Sequence, residues 1–378
     1  MGTQPLVSII TPCYNGEKYV GKFLDSILSQ SHKNIELIFI NDGSTDKTEA
    51  IALQYKSNIE NQGMKFEYIY QENKGVCASI NRGLKLFTGD YLIWPDSDHI
   101  LYKDNILRKV EFLEEEKEYG FVLSRVDVLS EYNMKKIASL YTSSISNNNF
   151  LKDVIEKKVI AGFAGIMART TALLDVLPDR EIIEYRAGQN IQIMLPFAYK
   201  YKCGYISESL YAYIIRRNSI SQSHYSIDDI IKREELVADI KAKTIKKMNI
   251  PEESYYLELN DNVCNEGKKR IIKQFEDIRE IHEKKKRIVI FGAGFKGYCI
   301  ALNPLFYGKI AFFIDKCIAI QKSGMGVEGE YYDVFSLEKS LEQLNENMAI
   351  IISSSTFREE IYEELLALGV TNKIVIWN

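Results

Sequence analysis

The sequence predicts an α/β protein with parallel sheet at both ends of the chain. Three observations lead there. Short apolar runs end in polar turns, helical apolar spacing fills the gaps between them, and the alternation recurs after residue 286. In the first hundred residues, Val7–Thr11, Ile35–Asn41, Phe66–Tyr70 and Tyr91–Trp94 read as strands. Tyr19, Val20, Phe23, Leu24, Ile27 and Leu28 follow a helical period, with Asn15 as the expected cap. Asp46 and Glu49 form a capping-type start for a second helix, and Val76 to Leu86 makes a third. Strands alternating with helices imply right-handed crossovers within one parallel sheet.

The middle of the chain is less regular. Leu123–Leu129 reads as a strand, 141–150 as a Ser/Asn-rich loop, and Ile191–Tyr201 is apolar at helical spacing. Gly162-Phe-Ala-Gly165 breaks the chain. Residues 226–285 are rich in Lys, Glu, Ile and Leu and read as two or three amphipathic helices. The plain account is a connector with solvated faces. A membrane-surface or partner-binding face is the weaker reading, because acids are mixed among the lysines.

Composition narrows the class. The 378 residues suit two or three domains, and 48 basic against 52 acidic residues give a net charge of −4. No basic surplus points to nucleic acid. The chain opens Met1-Gly-Thr-Gln-Pro5 and runs straight into a strand, as expected without a secretory signal. No apolar run approaches the ~18 residues of a spanning helix. Cysteines 13, 77, 203, 264, 299 and 317 are scattered without a C-x-x-C, which fits a reducing cytoplasmic setting rather than a disulfide framework.

Chemistry gathers at the strand ends. Ligands of parallel sheets bind outside the carboxyl ends of strands. Thr11-Pro-Cys-Tyr-Asn15 and Asn41-Asp-Gly-Ser-Thr-Asp46 are two such ends, and neither is a P-loop or a G-x-G-x-x-G. After the fourth strand comes Asp96-Ser-Asp98. In extended chain, residues i and i+2 point the same way, so both carboxylates can face one spot. Like charges so close call for a cation or donors between them. Mg²⁺-type ions take one or two carboxylates plus substrate phosphates.

These segments, with Asn73-Lys-Gly-Val-Cys-Ala-Ser-Ile-Asn81 and Gly89-Asp-Tyr91, resemble family 2 glycosyltransferases of the GT-A fold, over residues 1 to about 225. The resemblance implies a nucleotide-sugar donor, usually UDP-linked, a Mn²⁺ or Mg²⁺ ion, and transfer with inversion at the anomeric carbon. It implies a glycan or lipid-linked acceptor in surface polysaccharide synthesis, in the cytoplasm or at the membrane's inner face. It places Pro12, Tyr14 and Asn15 around base and ribose, Asp42 on the uracil N3–H, and Asn73, Gly75 and Asn81 along the donor. Plain packing or turn roles remain the alternative for Tyr14 and Asp42. Asp96 is expected at the ribose or the metal, and Asp98 on the metal. His99 stands where a further acid is common, and is expected to point away rather than to assist at the acceptor hydroxyl. Arg217 and His224 match the end of the catalytic domain, as a diphosphate contact and a completing metal ligand.

Two departures stand out. The family's arginine before the asparagine of the third segment is Ile80 here. Asn190 occupies the place of the catalytic aspartate, and an amide has no useful basicity. Glu184, and behind it Glu181, are the nearest replacement bases.

The tail carries its own signature. Ile288–Phe291 is a strand, Gly292-Ala-Gly-Phe-Lys-Gly297 a full G-x-G-x-x-G, and Ile310–Ile314 a strand ending in Asp315. Ala349–Ser353 and Lys373–Trp377 read as further strands, with a helix near Arg358–Leu368. Strand, glycine turn, helix, strand and acid form the dinucleotide fingerprint, with Gly292, Gly294, Gly297 and Asp315 as its residues. At about ninety residues the unit is half a full dinucleotide domain, so glycines serving only turn and packing are the alternative. The expected organisation is a GT-A domain (1–225), a helical connector (226–285) and a Rossmann-like α/β domain (286–378). A homo-oligomer is compatible with it. Two rival functions stay open: a nucleotide-sugar oxidoreductase centred on the tail, disfavoured by the lack of an obvious Tyr-x-x-x-Lys pair, and a non-catalytic donor-binding protein, favoured by Asn190.

Overall fold

The structure, a computed structural model, describes residues 4–140, 149–159, 165–215, 226–354 and 357–377. It separates into two compact units. One holds 1–128, 139–214 and 236–263; the other holds 129–138, 215–235 and 264–378.

In the first unit, β1 (Val7–Cys13), β2 (Ile35–Asp42) and β3 (Lys65–Gln71) alternate with α1 (Val20–Leu28), α2 (Thr48–Asn61) and α3 (Val76–Leu86), as the sequence predicts. Every residue of β1 and β2 is buried, because helices cover both faces of a parallel sheet. The edge strand β3 shows exposed residues along its length instead. The register aligns Cys13 with Asn41 and Asp42 with Gln71. The polar turns after the three strands therefore emerge side by side. Phe23, Leu24 and Ile27 of α1 lie on one face, wholly buried. Side chains of that size contribute about 1.5–3 kcal/mol each when fully buried.

The sheet continues through β4 (Tyr91–Ile93), parallel to β1. It then turns antiparallel. β5 (Ile100–Leu101), α4 (Asn105–Glu115), β6 (Tyr119–Ser130), β7 (Lys136–Leu140), α5 (Phe150–Ile155), β8 (Met167–Arg169), α6 (Thr170–Val176), α7 (Gln189–Lys200) and β9 (Lys202–Ile215) follow. The strand order is β3-β2-β1-β4-β8-β6-β9-β5, with β7 beside β6. The predicted strand at Leu123–Leu129 is longer at both ends, and the Gly162–Ala164 part of the expected chain break lies outside the described residues. Residues 226–285 fold as two helices, α8 (Ile227–Met248) and α9 (Glu253–Glu283). Asn249 at a φ of 50°, with Pro251 just after it, ends the first. Each helix contributes residues to both units.

The second unit carries β10 (Arg287–Phe291), α10 (Phe295–Leu302), β11 (Ile310–Ile314), α11 (Ile318–Ser323), a β12–β13 hairpin (Met325–Val327, Glu330–Tyr332), β14 (Val334–Phe335), α12 (Leu337–Gln343), β15 (Met348–Ile352), α13 (Arg358–Ala367) and β16 (Lys373–Ile376). Its five-stranded sheet is parallel, in the order β14-β11-β10-β15-β16. The chain winds outward from β10 to β14, then returns to β15 on the opposite side. This places a topological switch point between β10 and β15.

Candidate active site

Backbone amides and short polar side chains tie the first two turns together. The Asn15 Oδ1 accepts from Thr45 N at 2.9 Å, and the Asn15 N donates to Ser44 Oγ at 2.9 Å. The Gly16 N donates to Thr48 Oγ1 at 2.8 Å, and the Glu17 N to Asp46 Oδ2 at 3.0 Å. Asn15 sits at a φ of 49° and latches the two turns instead of capping α1, whose N-cap is Tyr19. Asparagine tolerates that left-handed conformation, which is why the sequence signal resembles a cap.

Asp42 anchors the third turn. Its Oδ1 accepts from Gln71 Nε2 at 2.7 Å and Lys74 N at 3.0 Å, and its Oδ2 from Gly75 N at 2.9 Å. Gly43, at a φ of 74°, allows this approach; a Cβ there would lie 2.7 Å from the Asn73 N. The local turn bond falls to Asn41, whose Oδ1 accepts from Ser44 N at 2.9 Å, while the Asp42 carboxylate holds the 71–75 segment and its Oδ2 keeps acceptor capacity. Asn73 accepts from Arg186 Nη1 at 3.1 Å.

The acidic turn after β4 lies with these turns. Burial pushes the Cys13 thiol at the end of β1 up to about 11; Ser97 hydrogen-bonds it, while Asp46 and Asp98 oppose its ionisation. A backbone hydrogen bond from His99 N to Asp96 O, at 3.2 Å, folds the segment back on itself. One ligand atom each from Asp96, Asp98 and His99 then lie within 4.8 Å of one another. His99 does not point away, as its position in sequence led us to expect. The pairing of Ile100 with Ala212 and Leu101 with Tyr211 lays β9 alongside. His99 packs edge-on against Tyr211 at 5.7 Å and Tyr213 at 5.9 Å between ring centroids. It is buried, and its Nδ1 has no hydrogen-bond partner among the described residues. A buried imidazole nitrogen costs free energy unless something satisfies it. Two carboxylates and this imidazole form a donor set that fits a divalent cation.

Two residues expected at the donor or the chemistry are engaged elsewhere. The Asn81 Nδ2 donates to Ile182 O and its Oδ1 accepts from Ile182 N, both at 2.8 Å. Its buried amide clips the returning chain to α3 instead of facing a donor. The Asn190 Oδ1 accepts from Trp94 Nε1 at 2.8 Å inside the core. It fixes the residue two positions before Asp96. Glu184 is exposed and lines a cleft of about 430 Å³ with Gln71, Lys74, Asn81, Arg82 and Lys85. Glu181 is paired with Lys85 at 3.1 Å. Tyr14 is 55% exposed at the turn mouth, beyond Pro12 within β1. Arg217 and His224 lie outside the described residues. In the tail, the Asp315 Oδ2 accepts from Ala293 N and its Oδ1 from Cys317 N, both at 2.8 Å. Its carboxylate holds the glycine turn.

Relatives carry similar sequence over part of the chain. A family profile described as "Glycosyl transferase family 2" matches residues 8–176. An uncharacterized glycosyltransferase of Rickettsia typhi is 45% identical over 109 residues, 29% of this chain and 32% of the relative. The chain thus matches about a third of that relative's length. An uncharacterized glycosyltransferase of Haemophilus influenzae is 32% identical over 189 residues, 50% of this chain and 68% of the relative. Among solved structures, Staphylococcus aureus TarS residues 1–349 in complex with UDP-GlcNAc superimposes with a TM-score of 0.52 at 21% identity, over 69% of this chain and 72% of that one. At that identity the likeness is one of fold, the GT-A arrangement. The chain belongs to glycosyltransferase family 2.

Proposed function

We propose that the chain is a metal-dependent, inverting glycosyltransferase. It takes a sugar from a nucleotide-sugar donor, UDP-linked, and places it on a hydroxyl of a glycan or lipid-linked acceptor during surface polysaccharide synthesis. The setting is the cytoplasm, with peripheral contact at the inner membrane face. Among the described residues no helix is long and apolar enough to cross a membrane. The observation that carries the reading is the Asp96, Asp98 and His99 cluster beside three latched strand-end turns.

In this reading Asp98, Asp96 and His99 hold a divalent ion, and the mixed oxygen and nitrogen donors favour Mn²⁺ over Mg²⁺. When bound, the ion supplies Lewis-acid stabilisation of the departing diphosphate, worth several kcal/mol. Tyr14, Pro12 and the Asn15 turn wall the base and ribose. Asp42 takes the uracil N3–H on its remaining acceptor site, and Asn73 and Gly75 line the donor. Arg217 and His224 keep their proposed roles at the diphosphate and the metal. The acceptor oxygen attacks the anomeric carbon, the bond to the diphosphate breaks, and the electron pair leaves with the diphosphate. The hydroxyl proton passes to a carboxylate. Glu184 is assigned that role, since it is exposed to the cleft while Asn190 is committed to Trp94. The GT-A domain is taken as residues 1–225, with the helices as connector and 286–378 as a Rossmann-like domain.

The test measures UDP binding with Mn²⁺ and with chelator. Binding tightens with Mn²⁺ in the wild type, and Asp98→Ala abolishes the difference while the thermal melt is retained. Equal affinity with and without metal in the wild type refutes the metal reading. A non-catalytic donor-binding protein is the second reading, favoured by the amide at position 190. Turnover of nucleotide sugars with Mn²⁺ separates the two.

A further inference from the structure

Residues 181–188, just before α7, form neither helix nor strand, yet buried side chains hold them on α3. The Asn81 amide bonds both backbone atoms of Ile182 at 2.8 Å. Gln192, also buried, does the same for Ile183. Its Oε1 accepts from the Ile183 N at 2.7 Å, and its Nε2 donates to the Ile183 O at 3.0 Å. The Cys77 thiol donates to Ala187 O at 3.4 Å. A segment clamped this way presents its exposed side chains from fixed points, so they lose less freedom on meeting a ligand.

Arg186 is one of those side chains. Its backbone lies over Gly75: a Cβ added there would come within 3.1 Å of the Arg186 Cα and 3.3 Å of its Cγ. Gly75 also has a φ of 91°, so space and conformation both require glycine. The Gly75 N is the amide that donates to Asp42 Oδ2. Arg186 is exposed, and its Nη1 donates to the Oδ1 of Asn73, two residues before Gly75. Among the described residues Asn73 is its one hydrogen-bond partner. A guanidinium has five N–H donors, so most of them stay available. One turn therefore carries a carboxylate with acceptor capacity and a guanidinium with unused donors.

Strand order decides what meets them. Asp42 ends β2 and Asn73–Gly75 follow β3, whereas the Asp96, Asp98 and His99 cluster follows β4, on the far side of β1. A donor with its diphosphate on that cluster brings its base to the third turn. Uracil presents N3–H between two carbonyls, of which O4 is the one away from the ribose. Cytosine presents a bare N3 acceptor and an amine at the same two places.

We propose that Arg186 reads the base of the donor. With N3–H on Asp42 Oδ2, the Arg186 guanidinium donates to uracil O4, and Asn73 holds the guanidinium in place. Cytosine would set its amine against the guanidinium and its N3 lone pair against the carboxylate, so the pair selects uridine over cytidine donors. The inference rests on the UDP-donor reading of the first unit and adds the residue that enforces it.

The experiment uses the full chain with Mn²⁺. UDP, CDP and inorganic pyrophosphate are titrated by calorimetry into the wild type, Arg186→Ala, Arg186→Lys and Asn73→Ala. The wild type prefers UDP to CDP. Arg186→Ala weakens UDP by roughly 10–100-fold, the scale of a lost hydrogen bond to a charged group. It narrows the preference for UDP over CDP by a similar factor, with pyrophosphate affinity and the thermal melt unchanged. Arg186→Lys keeps the charge without the planar fork and recovers part of the UDP affinity. Asn73→Ala weakens UDP less than Arg186→Ala does. Unchanged UDP affinity in Arg186→Ala overturns the proposal, and so does equal weakening of UDP and CDP. Pyrophosphate weakened as much as UDP overturns it too, since the contact is then to phosphate. A wild type that binds no UDP refutes the donor reading itself; a wild type that binds UDP equally with and without metal refutes only the metal, and the base comparison still decides the role of Arg186.

Discussion

Lys109 offers the sharpest test of how this fold is held beside its acidic turn. It is the fourth residue after Asn105 on α4 and is wholly buried. Its Nζ donates to Asn105 Oδ1 at 3.0 Å, and the Asn105 Nδ2 donates to Leu210 O at 2.7 Å. The ammonium also lies 6.0 Å from the centre of the Tyr211 ring, the ring that packs on His99. Desolvation lowers the Lys109 pKa to about 7 from 10.5. Below pH 7 the lysine is protonated both folded and unfolded, and the fold bears the cost of a buried charge. Between about pH 7 and 10.5 the unfolded chain binds a proton that the folded chain does not, so stability rises with pH. The slope approaches ~1.4 kcal/mol per pH unit for one group above pH 7, which gives ~2 kcal/mol between pH 7 and 9. Lys109→Met keeps the stem and lacks the proton. Its stability relative to wild type should fall by about that amount from pH 7 to pH 9. Urea denaturation of both proteins at three pH values, followed by a near-ultraviolet signal, measures it. A wild-type-to-variant difference that does not change with pH refutes the reasoning.

Three further outcomes are expected. Glu184→Gln lowers turnover by roughly 10²–10⁴ with little change in donor affinity; near-normal turnover removes Glu184 from the mechanism. Asn190→Leu leaves the buried Trp94 N–H without its acceptor and costs about 1–3 kcal/mol in thermal or urea unfolding, and adding Trp94→Phe restores part of the loss; additive effects would show that the pair does not couple. At pH 8 an alkylating reagent modifies exposed Cys317 while buried Cys13, its thiol pushed up to about 11, stays neutral and unreacted in the folded chain; mass mapping that finds Cys13 modified first contradicts the site's packing.

Much of the architecture was legible because its signals are local. Apolar runs such as Val7–Thr11 and Ile35–Asn41 mark strands buried on both faces, and they appear as β1 and β2 within two residues at each end. The glycine fingerprint similarly located β10, α10 and β11. The roles of individual polar residues were less legible, because they depend on partners far away in sequence. Asn81 bonds to a segment 101 residues on, and Trp94 to a residue 96 on. No spacing rule connects positions so distant. His99 was misjudged for a related reason. In an extended strand it would alternate away from Asp96 and Asp98, but the His99-to-Asp96 backbone hydrogen bond turns the chain and reverses its direction. A D-x-D followed by a histidine was the available signal. Asp42 shows the limit from the other side: the local turn bond falls to its neighbour Asn41, and the three donors around the Asp42 carboxylate come from residues 29 to 33 positions on.

The amide at position 190 draws these threads together. Aspartate there would still accept the Trp94 N–H, but at a site 5% exposed it would bury a charge. A buried carboxylate is costly unless it is paired, and its pKa rises as a result. Asparagine avoids that cost and keeps the hydrogen bond. The position therefore serves geometry: it fixes the indole that leads into Pro95 and the acidic turn. Asn105 with Lys109 serves the same end on α4, through Leu210 and the Tyr211 ring that packs on His99. Two amides and one lysine, all buried, brace the elements around Asp96, Asp98 and His99. Carboxylates that must hold a cation at fixed distances gain from such bracing, because ligands already in place lose less freedom on binding. It follows that substitutions at Asn190 should act first on metal affinity and stability, and those at Glu184 on turnover. Measuring both quantities on both variants separates positioning from proton transfer. If Asn190→Ala lowers turnover more than Glu184→Gln while metal affinity stays unchanged, the division of labour argued here is wrong.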